Sequence, residues 1–327
     1  MPVYIVDKPL GPTSHDIVAQ ARRVLGTRRV GHAGTLDPLA TGVLLILSEE
    51  ATKLSPWLTG SDKHYLAWIA FGAATPTLDA EGPIDAWGDP AAIDGPRLQA
   101  AFAPFLALRE QVPPRFSAVK RDGRASYQGA RQGDIEPPLP ARPAGYRSLE
   151  LLAFGPRASL PDRFGPSEEG WRPRDDGRSF ELPPPLAALP TALVALRVAA
   201  GTYVRAFARD LGEALGVPAH LAGLVRTRAG DVDLASAVAL DDLAAAPGIA
   251  AADALPLPRR QVDDRQAERL RQGQRLPAQE LPGEGPTALL DPQGELVAIA
   301  ELAPSGMRLR RVFPSTTSPS ARTDEGG

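Results

Sequence analysis

The run Gly31-His32-Ala33-Gly34-Thr35-Leu36-Asp37-Pro38-Leu39-Ala40-Thr41-Gly42 sets a carboxylate on a glycine-rich loop directly before the unbroken apolar stretch Val43–Leu47. Glycines at 31, 34 and 42 permit close backbone approach or positive φ, and Pro38 stiffens the position after the acid. An acid held at the mouth of a sheet in this way is well placed for a ligand, although Asp-Pro alone is also an ordinary turn starter. Composition narrows the chemistry. The 327 residues include no cysteine, which excludes disulfides, thiolate metal sites and cysteine nucleophiles. His15, His32, His64 and His220 are scattered without the pairing or carboxylate companions of a zinc site, so no metal is expected. Ser14-His15-Asp16 has the residue types of a hydrolytic triad, but adjacent residues on one helix cannot converge on a substrate. Chemistry therefore falls to carboxylates, hydroxyls and bases.

The stretch GHAGTLDPLATGVLL closely resembles the catalytic motif of the TruB-type pseudouridine synthases, the tRNA pseudouridine-55 synthases. Further segments resemble the same family, in its order. Asp7-Lys8-Pro9-Leu10-Gly11-Pro12-Thr13-Ser14 is similar to its N-terminal basic and proline motif, which packs beneath the active site. Lys63-His64-Tyr65 is similar to its K-x-Y motif, and Gly201-Thr202-Tyr203-Val204-Arg205 with Asp210-Leu211-Gly212 to the motif that supplies an arginine. Leu224, in Leu224-Val225-Arg226-Thr227, matches an apolar pocket residue, and Pro114–Gly133 resembles an RNA-contacting insertion. The resemblance runs from residue 1 to about 230. Beyond it, the C-terminal module resembles a PUA-type RNA-binding domain in position and hairpin pattern. Ala33 stands where the family often has threonine, and Gly155–Pro190 has no counterpart in shorter members.

This resemblance implies an isomerase that converts uridine to pseudouridine in the T-arm loop of tRNA, with Asp37, Tyr65 and Arg205 as catalytic residues. The reaction breaks the N1–C1′ bond, turns the base and rejoins it through C5. No atoms are gained or lost, so no cofactor is expected. Asp37 is implied as nucleophile or as the carboxylate that stabilises charge at C1′, and attack on C1′, addition to C6 and elimination through a glycal all stay open. A guanidinium at Arg205 favours the charged carboxylate, and Asp79 is implied as its second partner, the two acids bridged by a planar fork. Tyr65 is implied to stack on the uracil, with a hydroxyl that receives or relays the proton. His32 fills the space that the flipped base vacates, and Lys8, Lys63, Gly34, Thr35 and Leu224 complete the substrate-binding set. The alternatives are a non-catalytic RNA-binding or tRNA-folding protein of the same fold, and a synthase acting on another RNA.

The elements that must position these residues are legible in outline. Thr13 to Asp16 reads as a capped helix start, with Ile17, Val18, Ala21 and Leu25 on one face and Gly26 as the stop. Val43–Leu47, Tyr65–Phe71 and Leu193–Ala199 read as strands, Leu98–Leu106 as a helix, and Thr202 opens a second helix ending at Gly216. Strands and helices mix without regular alternation, which predicts an α+β fold with a mixed, largely antiparallel central sheet flanked by helices. The expected units are a catalytic domain over 1–250, a small β-rich PUA-like domain over 256–313 and a disordered tail over 314–327. Gly155–Pro190, rich in Pro, Gly, Arg and Asp, reads as a flexible insertion or long surface excursion. A helix near Gln266–Gln272, then strands Thr287–Leu290 and Glu295–Glu301 about a turn at Asp291–Gly294, fill the small unit.

A net charge of −3 is unusual for a nucleic-acid binder, yet basic residues gather in Arg22–Arg29, Lys120–Arg131 and Arg259–Arg275, which the total conceals. With no signal peptide or apolar run of membrane length, a cytoplasmic location is expected, and separately the chain is expected to act as a monomer. Activity on a prefolded T-arm hairpin should be unchanged by EDTA and need no nucleotide or flavin, since the sequence has no phosphate-cradling glycine loop. Loss of tritium release from that hairpin on adding chelator would contradict this.

Overall fold

The computed structural model describes residues 1–116, 120–121, 124–125 and 139–315. Most of Pro114–Gly133, the basic run Lys120–Arg131 and nearly all of the expected tail lie outside these residues. A nine-stranded sheet organises the chain. Its main strands are β1 (Pro2–Lys8), β2 (Val30–Ala33), β3 (Ala40–Ser48), β4 (Lys63–Phe71), β5 (Tyr146–Pro156), β6 (Pro190–Val198) and β7 (Ala219–Ala229). They lie in the order β5-β6-β4-β7-β3-β1, with Ile249–Ala250 beyond β1, β2 also paired to β3, and Val232–Asp233 paired to β7. All of these pairings are antiparallel except β7 with β3, which is parallel. The expected α+β class with a mixed, largely antiparallel sheet is therefore the one adopted.

Local chemistry accounts for the elements. Helix α1 (Ser14–Val24) opens with a capping box in which the Thr13 hydroxyl accepts from the Asp16 N–H and the Asp16 carboxylate accepts from the Thr13 N–H. Ile17, Val18 and Ala21 face the core. All nine residues of β3 are buried, as a strand covered on both faces requires. Helix α2 (Val204–Leu215) buries Phe207, Ala208 and Leu211 and stops at Gly216, whose φ of +73° lies in the left-handed region. The helix expected over Leu98–Leu106 is instead two, Gly95–Ala101 and Ala103–Ala107. Pro104 has no N–H to continue the first helix and suits the opening turn of the second.

Gly155–Pro190 departs from the expected flexible excursion. Arg163–Ser167, Gly170–Pro173 and Arg178–Ser179 form a three-stranded antiparallel sheet. Phe164 and Trp171 are 1% and 4% exposed, and Phe164 meets the Trp68 ring of β4 edge to face at 5.7 Å. The Trp171 indole N–H donates to Asp233 Oδ1 at 3.0 Å. Few apolar residues suffice here because they are aromatic, each covering a large area. At the C-terminus, Arg259–Gln261, Gly285–Leu290, Leu296–Ala303 and Gly306–Val312 form a four-stranded sheet. The Asp291 carboxylate accepts the Gln293 and Glu295 N–H groups to close the expected hairpin turn. Ala288, Leu296, Ile299 and Phe313 join the apolar cluster of Val3, Ile5 and Leu45 on one face of the main sheet. Leu289 and Val297 pack with Leu270 of the helix Asp264–Arg271 in a separate cluster.

Trp171→Ala should lower the stability to urea by about 3–5 kcal/mol, the usual cost of deleting a buried aromatic ring. A far-UV CD midpoint that corresponds to a change below about 0.5 kcal/mol would show that the inserted sheet is not integral to the core.

Candidate active site

The loop between β2 and β3 is held by its carbonyl oxygens. Arg226 of β7, 1% exposed, donates from Nε to the Val43 carbonyl (2.7 Å), from Nη2 to that of Gly34 (2.9 Å) and from Nη1 to that of Thr35 (3.3 Å). Lys8, fully buried at the end of β1, donates from Nζ to the carbonyls of Ala40 (2.7 Å), Pro9 (2.9 Å) and Pro38 (3.3 Å). The Ser14 hydroxyl of α1 both accepts from the Leu36 N–H (2.8 Å) and donates to its carbonyl (2.9 Å). Gly42 is required at its place: φ is +95°, and a Cβ would lie 2.3 Å from the Arg226 carbonyl oxygen. Lys63, at the start of β4, is likewise buried and gives its ammonium to the carbonyls of Thr59 and Ser61, both at 2.6 Å. Burial lowers both Lys8 and Lys63 to about 8.

This scaffold presents Asp37 to Arg205 of α2. Arg205 Nε lies 2.8 Å from Asp37 Oδ2 and 3.6 Å from Asp79 Oδ2, so one guanidinium faces both acids. The expected planar fork to the two carboxylates is not what forms. Nη1 donates to the Thr77 carbonyl (3.1 Å) and Nη2 to that of Phe116 (2.8 Å), while Nε–H makes no aligned hydrogen bond. Two backbone carbonyls fix the plane of the group, and its third edge supplies charge to both acids. Asp79 is 2% exposed and its carboxyl is raised by burial, against which the Thr77 hydroxyl and Arg205 act. Its Oδ1 also accepts from the Thr77 hydroxyl (2.6 Å) and the Glu81 N–H (3.1 Å).

A cleft opens above the ion pair, and Gly34, Thr35, Asp37, Lys63, Tyr65, Arg205 and Leu224 all contribute to its lining. Tyr65 and Leu224 lie on the adjacent strands β4 and β7, and Leu224 sits beside Ala40 of β3. Lys8, His32 and Asp79 do not line it. Lys8 lies beneath the loop and Asp79 behind Arg205. His32 is half-buried next to His15, the rings edge to face at 5.4 Å, and burial lowers it to about 4, so it is neutral. Sequence reasoning gave no role to Arg226 or to Tyr203, which also lines the cleft. Arg226 stands directly after the apolar run Leu221–Val225 and two residues before Arg228, a setting that gives no local sign of its burial.

Family models match much of the chain. Residues 22–161 match the TruB family pseudouridylate synthase N-terminal domain, 205–259 the tRNA pseudouridylate synthase B C-terminal domain, and 257–314 the tRNA pseudouridine synthase II C-terminal region. The chain is 52% identical over 314 residues to tRNA pseudouridine synthase B of Thermus thermophilus, covering 96% of this chain and 99% of that protein. The chain belongs to the TruB family of pseudouridine synthases. Another member, tRNA pseudouridine synthase B of Deinococcus radiodurans, is 48% identical over 302 residues, 92% of this chain and 96% of its own. Among solved structures, an H/ACA RNP bound to a substrate RNA containing 2′-deoxyuridine shares the fold. It gives a TM-score of 0.64 at 22% identity, over 96% of this chain and 85% of that one. The TruB-family chain is thus an isomerase. No helix of its described residues is long and apolar enough to cross a membrane.

In this TruB-family site, Arg205→Lys removes both carbonyl anchors and should lower turnover about 100-fold, since misplacement near 1 Å costs that much. Asp79→Ala should cost less, about tenfold, and the double variant far less than the product because both act through one unit. Multiplicative losses in that kinetic cycle would refute the shared unit.

Proposed function

We propose that this chain isomerises uridine 55 to pseudouridine in the T-arm loop of tRNA, acting in the cytoplasm as a monomer and without a cofactor. The observation that carries the reading is the placement of Asp37. Among the described residues that line the cleft it is the only carboxylate, it is 35% exposed at its side chain, and a buried guanidinium stands 2.8 Å away. The names of the closely similar relatives support tRNA as the substrate.

The uridine leaves its stack, at a cost of a few kcal/mol, and enters the cleft above Asp37. Arg205 keeps Asp37 oriented as the N1–C1′ bond breaks. Attack on C1′, addition to C6 and elimination through a glycal each call on an ionised carboxylate at this place. The freed uracil turns, the C5–C1′ bond forms, C5 loses its proton and N1 gains one, so the product is an isomer. Tyr65 stacks on the base and its hydroxyl relays the C5 proton. Leu224 supplies apolar contact, while Gly34, Thr35 and Lys63 border the base. Neutral His32, a ring with an unpartnered buried Nδ1 among the described residues, takes the vacated place in the stack from outside the cleft. Phosphates are met by basic side chains, and the C-terminal sheet serves as a PUA-like RNA contact.

The test is tritium release from C5-labelled uridine, with a T-arm hairpin and a ribosomal RNA fragment compared. Release from the hairpin is expected, and release from ribosomal RNA alone would overturn the substrate assignment. Asp37→Ala and Asp37→Asn should abolish release while hairpin affinity stays within about tenfold, because phosphate and loop contacts dominate binding. Asp37→Ala turning over at within about tenfold of the wild-type rate would sink the mechanism.

A further inference from the structure

Helix α2 brings Arg205 to the site in its first turn, yet Tyr203 at its N-cap offers no side-chain hydrogen bond to the helix. The missing anchor comes from elsewhere. Gln111, 4% exposed on the short strand Glu110–Gln111, accepts the Tyr203 N–H at its carboxamide oxygen (3.0 Å) and donates from Nε2 to the Tyr203 carbonyl (3.2 Å). One side chain therefore holds both backbone polar groups of the residue two before Arg205, as a neighbouring strand would. The same Nε2 donates to the Tyr146 hydroxyl at 2.8 Å, and burial raises Tyr146 so that this hydroxyl stays protonated.

The contact is not isolated. Arg209, one turn after Arg205, donates to the Val112 carbonyl at 2.9 Å, and Arg205 itself donates to the Phe116 carbonyl at 2.8 Å. Residues 111, 112 and 116 thus grip α2 at three successive points, and the grip at Tyr203 fixes the angle at which the helix enters. With Nε 2.8 Å from Asp37, a small rotation of that first turn would move the guanidinium out of ion-pair range.

We infer that Gln111 is a positioning residue of the isomerisation: its carboxamide fixes the N-terminus of α2 and thereby the placement of Arg205 against Asp37. This rests on the reading of Asp37 and Arg205 as the reacting pair.

The experiment is single-turnover tritium release with enzyme in excess over a C5-labelled T-arm hairpin, the binding-competent fraction being titrated separately with unlabelled hairpin. Gln111→Leu should lower the rate constant per bound hairpin about 10- to 100-fold, with hairpin Kd within about threefold. In an Arg205→Lys background the same change should cost less than about threefold. A wild-type rate constant with only a smaller competent fraction would mean a purely structural role and overturn the proposal, as would a fully multiplicative loss with Arg205→Lys. Should Gln111→Leu not fold, Gln111→Glu keeps the acceptor and loses the donors. A smaller loss in the same direction supports the proposal, and a wild-type rate overturns it. Turnover by Asp37→Ala would instead remove the underlying reading, whereas an inactive Asp37→Ala beside a Gln111→Leu of wild-type rate would remove this inference alone.

Discussion

Two cations buried without a carboxylate of their own govern the architecture around Asp37. Among the described residues neither Lys8 nor Arg226 forms an ion pair, and each is at most 1% exposed. Removing such a charge from water costs many kcal/mol unless donors find acceptors, and the acceptors within reach are carbonyls of Pro9, of the loop and of the start of β3. Gly34, Thr35, Pro38, Ala40 and Val43 all turn their oxygens inward to meet them. The loop is therefore anchored at several points, and Asp37 stands close to the buried positive charge of Lys8. The cost falls on Lys8, whose pKa burial lowers to about 8.

Arg205 closes the site from the other side and draws on segments far apart in the chain. Asp37, Asp79, Thr77 and Phe116 come from three separate stretches, yet all meet one guanidinium. Breaking a buried ion pair by removing one partner commonly costs about 3–5 kcal/mol, which couples local folding to the geometry of the pair. A planar, always charged group suits this task because it carries donors on three edges at once. The site exists only when the loop, the Thr77–Asp79 turn, the 111–116 segment and α2 are all in place.

The sequence was most legible where local chemistry decides the outcome. The capping box at Thr13 and Asp16, the doubly covered strand Val43–Leu47 and the turn at Asp291 each carry their cause within a few residues. The loop holding Asp37 was legible through resemblance of its letters more than through physics, since glycines and Asp-Pro occur in many turns. What escaped were effects that depend on distant partners. The polar composition of Gly155–Pro190 hid Phe164 and Trp171, whose burial depends on Trp68 and Asp233 elsewhere in the chain. Arg226 lies between an apolar run and the polar pair Thr227-Arg228, and nothing nearby in sequence announces that its partners are carbonyls 183 to 192 positions away. The fork expected of Arg205 gave way to the carbonyls of Thr77 and Phe116, which only the fold brings within reach.

The parallel step between β7 and β3 explains why so much converges at one end of the sheet. Its register sets Leu224 beside Ala40, Val225 beside Thr41 and Arg226 beside Gly42. Because both strands run the same way, the start of β3, where the Asp37 loop ends, lies against the middle of β7. Alternation along β7 then sends Leu224 and Arg226 to one side, the first to the cleft lining and the second to the loop carbonyls. A slip of one residue would turn both side chains to the opposite face, leaving an apolar gap in the cleft and a guanidinium in the core of Leu45, Trp68 and Phe164. Gly42 guards the register, since any side chain there would collide with the Arg226 backbone. The pairing that places the pocket wall is thus the same pairing that ties down the loop, and neither can shift without the other.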